Sequence, residues 1–214
     1  YQYDARQMGG EDRCNCFTSD PLTVAAGFPV ITTNDYVGSG FSRGHMTRSA
    51  DRTRTNVENA STFYLTNIVP QNQDQNGGPW AALESLLGDS TRAGRAVYIV
   101  TGPQFNDRAN PRFLNDAGRV AIPDSTWKVA LIVNRDPATG LPRGAADIAD
   151  WEDLREVTVI AVMMPNVGFS QGLNGDWRTY RRTIDQVERV TGFDFYALLP
   201  DALVVRTSAF FGPW

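Results

Sequence analysis

The stretch from Glu156 to Met164 narrows the fold more than any other part of the chain. Its core, near Val157 to Met164, is the longest apolar run in the sequence. A membrane span needs about 18 apolar residues, so the run is too short to cross a bilayer. It is apolar enough to lie centrally in a sheet with both faces covered. A second strand is expected over Thr126 to Asn134, and a third over Val97 to Val100, stopped by Gly102-Pro103. Thr62 to Thr66 alternates in the manner of a strand. Helical spacing is clearest after Pro79, a residue tolerated in a first turn. Trp80, Leu83, Leu86 and Leu87 then recur on one face, with an end near Gly94. Asp185 to Val190 reads as a short helix closed by Thr191-Gly192, and Asp201 to Ser208 as another. Strands and helices mix without strict alternation, so the class is α+β. No repeat or low-complexity linker divides the chain. The whole of 1–214 is read as one domain, with an irregular N-terminal segment over 1–33 and at most short helices between Thr47 and Ser61.

Composition removes several classes of function. With 214 residues and 42% hydrophobic content, the chain can bury a substantial core and is not intrinsically disordered. Two cysteines cannot make a disulfide-rich scaffold. A net charge of −4 argues against a protein that coats nucleic acid through basic patches. Yet 19 of the 20 basic residues are Arg, Lys128 being the only Lys. A GC-rich coding sequence accounts for that bias, and so does recognition of phosphate, which Arg contacts in bidentate fashion. The chain opens at Tyr1 with no initiator Met and no apolar leader, which reads as a processed product.

Four features fall close together: Arg43-Gly44-His45, Asn67, Asn76 and Glu84. His45 is the only histidine and titrates near neutral pH when unperturbed, so it is the natural group for acid–base chemistry. Asn76, before Gly77-Gly78-Pro79, reads either as a helix cap or as the neutral ligand of a divalent cation. Mg²⁺ commonly takes few protein ligands and keeps several waters. Glu84 lies eight residues further on, about 12 Å along a continuous helix. It therefore suits an indirect role through water, or a salt bridge, unless the start of the helix is irregular.

Ser42-Arg43-Gly44-His45-Met46, Thr62 to Gln71 (TFYLTNIVPQ), Asn76, Trp80 and Leu83-Glu84 together resemble the DNA/RNA non-specific endonuclease family, the ββα-metal nucleases. The likeness continues through Ala50-Asp51-Arg52-Thr53, Tyr98 to Pro103, Thr126-Trp127-Lys128, Asp176-Trp177-Arg178 and Thr191 to Asp194. The resemblance implies a central, mainly antiparallel sheet flanked by helices, with the catalytic core at about 36–94. It implies a Mg²⁺-dependent endonuclease (Mn²⁺ a substitute) that hydrolyses DNA and RNA to 5′-phosphate products. His45 would be the general base, Asn76 the metal ligand, and Asn67 would orient the network around His45. Glu84 would anchor metal-bound water, while Arg43 and Arg13 would steady the phosphate. Arg48, Arg52 and Arg92 are further candidate substrate contacts. The expected place of action is secreted or periplasmic, with DNA and RNA as partners and no membrane. A protein inhibitor and the oligomeric state are left open.

The chain departs from the family at two points. Ser42 stands where the motif usually has Asp, as in the mitochondrial exonuclease branch, and Gly88 stands where the cyanobacterial branch has Arg. Arg92, one helical turn on, is positioned to replace the latter. These departures keep two alternatives in view: an exonuclease or structure-selective nuclease, and a nucleic-acid-binding relative with degraded catalysis. Cys14 and Cys16 are expected as unpaired thiols. A Cys-x-Cys disulfide or an intermolecular bridge are the other readings.

Overall fold

The computed structural model describes residues 1–135, 138–139 and 157–197. In chain order the elements begin with β1 (Gln2–Tyr3), α1 (Pro21–Ala25), β2 (Ser42–His45), α2 (Asn56–Ser61), β3 (Ile68–Gln71) and α3 (Gln73–Gln75). There follow α4 (Ala81–Arg92), β4 (Ala96–Gln104), β5 (Arg112–Phe113), β6 (Ala121–Ile122), β7 (Ser125–Val133), β8 (Val157–Pro165) and α5 (Ile184–Thr191). The helix expected over Asp201 to Ser208 lies outside the described residues.

Strands β1, β4, β7 and β8 form one antiparallel sheet in that order. The α+β expectation therefore holds, and the apolar run from Val157 onward supplies β8, paired along its whole length with β7. Every residue of β7 after Ser125 is buried, because both faces of the sheet are covered. On one face Ala130, Ile132, Ile160 and Val162 pack against Trp80, Leu83 and Leu87 around α4. On the other, Trp127, Val129 and Ala161 meet Ile184 and Val187 of α5, with Phe195. Each buried Val, Ile, Leu or Phe side chain among them contributes about 1.5–3 kcal/mol. No helix among the described residues is long and apolar enough to cross a membrane.

Three local expectations are corrected. Thr62 to Thr66 is not a strand. Its amides turn back locally, from Thr62 to the Asn59 carbonyl and from Phe63 to that of Ala60, and the strand begins at Ile68. Strand β4 does not stop at Gly102-Pro103: Gly102 pairs with Trp127 and Pro103 with Thr126. Gly102 is needed there, since a Cβ would come within 2.8 Å of the Trp127 ring. The helix after Pro79 begins later than expected. Asn76–Trp80 form a wider turn, with non-helical torsions at Gly78, and α4 starts at Ala81. It ends at Arg92, and Gly94 follows at a φ of +89°, the left-handed conformation that favours glycine.

Candidate active site

Two short strands and the helix after them build the site. Strand β2 pairs antiparallel with β3, Ser42 opposite Gln71 and His45 opposite Ile68. Gly44 has to be glycine, because a Cβ would overlap the carboxamide of Gln71. That Gln71 is buried and donates through Nε2 to Thr126 Oγ1 at 3.3 Å. Gln75 Nε2 donates to the same hydroxyl at 2.7 Å. Asn166 adds a donation to the Pro70 carbonyl at 2.9 Å and accepts from the Asn72 amide at 2.6 Å. The hairpin is thereby fixed to the central sheet, and the position of His45 follows from it.

His45 is 8% exposed and sits in an aromatic cage. Its ring meets Phe63 edge-on at a centroid distance of 4.9 Å and tilts against Phe17 at 5.5 Å. The guanidinium of Arg13 lies over Phe63 at 4.9 Å, and that of Arg43 over Phe17 at 4.2 Å. The two rings that flank the imidazole thus each hold a cation. Neither arginine meets a carboxylate among the described residues: Arg13 donates to Asn15 Oδ1 at 2.8 Å and Ser49 Oγ at 3.1 Å. Burial, then the charge of Arg13, pushes the His45 pKa down to about 4, opposed by a hydrogen bond to the Arg43 backbone. His45 Nε2 is buried with no hydrogen-bond partner among the described residues. The result is a neutral imidazole in a positive field.

Asn67 supports the backbone just after His45. Its Oδ1 accepts from the Thr47 amide at 2.9 Å, and its Nδ2 donates to the carbonyls of Thr47 and Thr62, both at 2.8 Å. Asn76 lies on the wide turn ahead of α4, half-buried, and its carboxamide makes no hydrogen bond among the described residues. Its neighbour Asn72, by contrast, caps α3 by accepting from the Asp74 amide. The capping work is done by Asn72, which leaves Asn76 available as a hard oxygen donor of the kind Mg²⁺ takes. No cluster of three His, Cys, Asp or Glu occurs among the described residues. Ser42 lies at the far end of β2 from His45 and donates to Gln73 Oε1 at 3.3 Å.

Glu84 belongs to a second, buried cluster. Its Oε1 accepts from Lys128 Nζ at 3.4 Å, with side-chain exposures of 12% and 1%. Lys128 also lies over the Trp80 ring at 4.6 Å. Burial raises the Glu84 pKa against the pull of Lys128 and Arg48, with Asp51 adding to the rise. Arg48 Nε donates to Asp51 Oδ1 at 2.5 Å, and Tyr1 Oη to Asp51 Oδ2 at 3.1 Å. Glu84 Oε2 makes no hydrogen bond among the described residues and is left to accept one from water. Arg52 is spent on the Asp51 and Gln2 carbonyls and on the Tyr1 ring. Arg92 pairs with Asp89 at the surface. Over Gly88 it is Arg48 that comes closer, for a Cβ there would overlap the Arg48 guanidinium, with Arg92 Nη1 at 3.4 Å.

The structure thus groups Arg13, Arg43 and His45, buttresses them with Asn67, and groups Glu84 with Arg48. Arg52 and Arg92 join neither group. Cys14 and Cys16, expected as free thiols, are bonded to each other. The reason is the turn: Asn15 between them adopts φ +51°, bringing the two Cα atoms to 5.2 Å. Phe17 and Phe63 were not singled out from the sequence as site residues, and nothing in their spacing from His45 marks them.

The chain matches the family described as DNA/RNA non-specific endonuclease over residues 1–202. It is 36% identical over 195 residues to a protein named Nuclease from Nostoc sp., an overlap of 91% of this chain and 64% of that one. With the mitochondrial nuclease EXOG of Homo sapiens it shares 41% identity over 213 residues, 93% of this chain and 51% of the other. The chain therefore spans between half and two thirds of the length of these relatives. A chain in the crystal structure of the EndoG/EndoGI complex superposes with a TM-score of 0.67 at 23% identity, over 94% of this chain and 78% of that one, which shows a shared fold.

Proposed function

The chain belongs to the DNA/RNA non-specific endonuclease family, and from that premise we propose that it is a Mg²⁺-dependent, sugar-non-specific endonuclease. It hydrolyses phosphodiesters of DNA and RNA to 5′-phosphate ends, with the whole chain acting as one nuclease domain around a ββα core. The observation that carries this reading is the pair of guanidiniums, Arg13 and Arg43, stacked on the cage of a buried imidazole with no carboxylate among the described residues to answer them. Such a pocket wants an anion, and a phosphodiester supplies one.

His45 Nε2 accepts a proton from the attacking water. At neutral pH the ring is already unprotonated, because burial and the two arginines disfavour its cation. A bound phosphate offsets the charge of Arg13 and Arg43 and so raises the basicity of His45 when the base is needed. Arg13 and Arg43 then stabilise the charge that grows on the phosphorus oxygens. Asn67 keeps the backbone behind His45 from yielding. Asn76 would hold Mg²⁺, or Mn²⁺ in its stead, through its carboxamide oxygen, and Glu84 Oε2 would accept a hydrogen bond from the ion's hydration shell. When bound, the cation neutralises charge on the phosphate and on the leaving 3′ oxygen. These contacts go to phosphate oxygens, which are the same in DNA and RNA and carry no base identity. The Cys14–Cys16 bridge suits an oxidising compartment, in keeping with a secreted or periplasmic place of action.

The test is incubation with supercoiled plasmid and with RNA, with and without EDTA. Wild type cleaves both substrates only with the divalent ion, His45→Ala abolishes cleavage, and Asn76→Ala raises the Mg²⁺ requirement or abolishes activity. Covalently closed circles left whole would sink the endonuclease assignment, and full activity in His45→Ala would remove that residue from the mechanism.

A further inference from the structure

Beside the Asn76 turn stands a feature that the proposed chemistry does not use. Phe169 is 52% exposed, yet its backbone is held from several sides. Its amide donates to Asp74 Oδ2 at 2.9 Å, and Gly168 donates to Gln171 Oε1 at 3.0 Å. The turn Phe169–Gln171 is closed by Gly172 at φ +92°. Gly168 admits no side chain, since a Cβ there would come within 2.9 Å of Asp74 Oδ2 and 3.5 Å of the Asn72 carboxamide. The segment is thereby pinned to the residues that lead into Asn76.

The ring itself leans over bare glycine. A Cβ on Gly78 would lie 3.4 Å from Phe169 Cζ, and one on Gly77 would meet nothing within 4 Å. A Cβ on Gly175, later in the same segment, would lie 3.9 Å from the ring's Cε1. A phenyl face kept in water, fixed through its backbone, with no side chain on the two residues that follow the metal ligand, makes a platform for a flat group. Three and six residues beyond Gly175, Arg178 and Arg181 lie over the buried Trp177 ring, Arg178 also paired with Asp176, which places guanidiniums on the segment that carries the platform. Aromatic faces paired with arginines are the means by which proteins hold single-stranded nucleic acid without reading its sequence.

We propose that Phe169 is a base-stacking subsite for the nucleotide strand beside the Asn76 turn, a contact that favours unpaired bases over a closed duplex. The inference rests on the nuclease reading for its substrate. Any base offers a π-face, so the subsite adds affinity without sequence preference, whereas a base locked in a duplex does not present its face to the ring.

The experiment measures binding apart from cleavage. Fluorescence anisotropy of labelled oligothymidine is followed in EDTA, where no hydrolysis occurs, for wild type, Phe169→Ala and Phe169→Tyr. The comparison ligands are a wholly abasic strand of the same length and a blunt duplex. Phe169→Ala weakens oligothymidine binding by roughly tenfold, Phe169→Tyr restores it to within about twofold, and abasic and duplex binding are the same in all three. Equal thermal midpoints establish that the variants fold. Wild-type affinity for oligothymidine in Phe169→Ala overturns the proposal, and so does an equal loss on the abasic strand, or no oligothymidine binding by wild type. Stacking without cleavage on adding Mg²⁺ instead overturns the nuclease reading and leaves the subsite standing, so the two failures are distinct.

Discussion

Acidifying the protein isolates a single side chain, because His45 is the only histidine. Its pKa falls from an ordinary 6.5 to about 4 in the folded state, chiefly because the ring is shut away from water and then because Arg13 stands close. The folded protein therefore holds that proton less tightly than the unfolded chain does. As pH falls below about 6.5 the unfolded chain takes up the proton first, and stability drains away until the folded ring also protonates near pH 4. Above 6.5 the contribution is whole. The displacement corresponds to about 3 kcal/mol across the window. Carboxylates titrate over part of the same range, so the assay is a difference: urea unfolding of wild type and His45→Asn at matched pH. Wild type loses about 3 kcal/mol relative to the variant between pH 7 and 4. The ring's own NMR titration gives the folded midpoint directly. A flat difference, or a midpoint at 6.5 or above, refutes the argument from burial and Arg13. It also removes the ground on which His45 is proposed as the base at neutral pH.

Replacing Lys128 with Met leaves the Glu84 carboxylate buried without its cation and costs about 3–5 kcal/mol in urea unfolding. Adding Glu84→Gln recovers most of that loss, and no recovery would mean that the two are not coupled. Gly44→Ala drives a methyl into the Gln71 carboxamide and costs about 1–3 kcal/mol by thermal melt, part of it regained with Gln71→Ala. Reducing the Cys14–Cys16 bond with a dithiol frees the turn that sets Asn15 against Arg13. Initial-rate kinetics on DNA then show kcat and kcat/KM lowered together, and the same treatment leaves Arg13→Ala unchanged.

What could be read from the sequence was whatever is written locally. Trp80, Leu83 and Leu87 announce α4 because a helix buries residues on a fixed period, and the β8 run announces a covered strand. Arg43, His45, Asn67 and Asn76 are candidates through the family resemblance, and they fall in adjacent elements from β2 to the turn ahead of α4. The Thr62–Thr66 alternation misled because alternation records side-chain direction, whereas Thr62 and Phe63 give their amides to the preceding turn. The longer reach of β4 depends on its pairing with Trp127 and Thr126, which no local pattern encodes. The same holds for the pairing of Glu84 with Lys128 across 44 positions and for the meeting of Phe17, His45 and Phe63 in one cage. Asn15 at φ +51° was equally hidden, and with it the closure of the two cysteines.

The loosened stretch from Asn76 to Trp80, with its break at Gly78, has an evolutionary corollary. A residue inside a regular helix shares the rotation of every turn behind it, so each repacking of the buried face re-aims it. Here the break uncouples the two. Trp80, Leu83 and Leu87 can exchange bulk with the sheet over many generations without re-aiming Asn76 one turn upstream, whose amide is tied back to the Asn72 carbonyl. The core is free to drift, and Asn76 stays where it is.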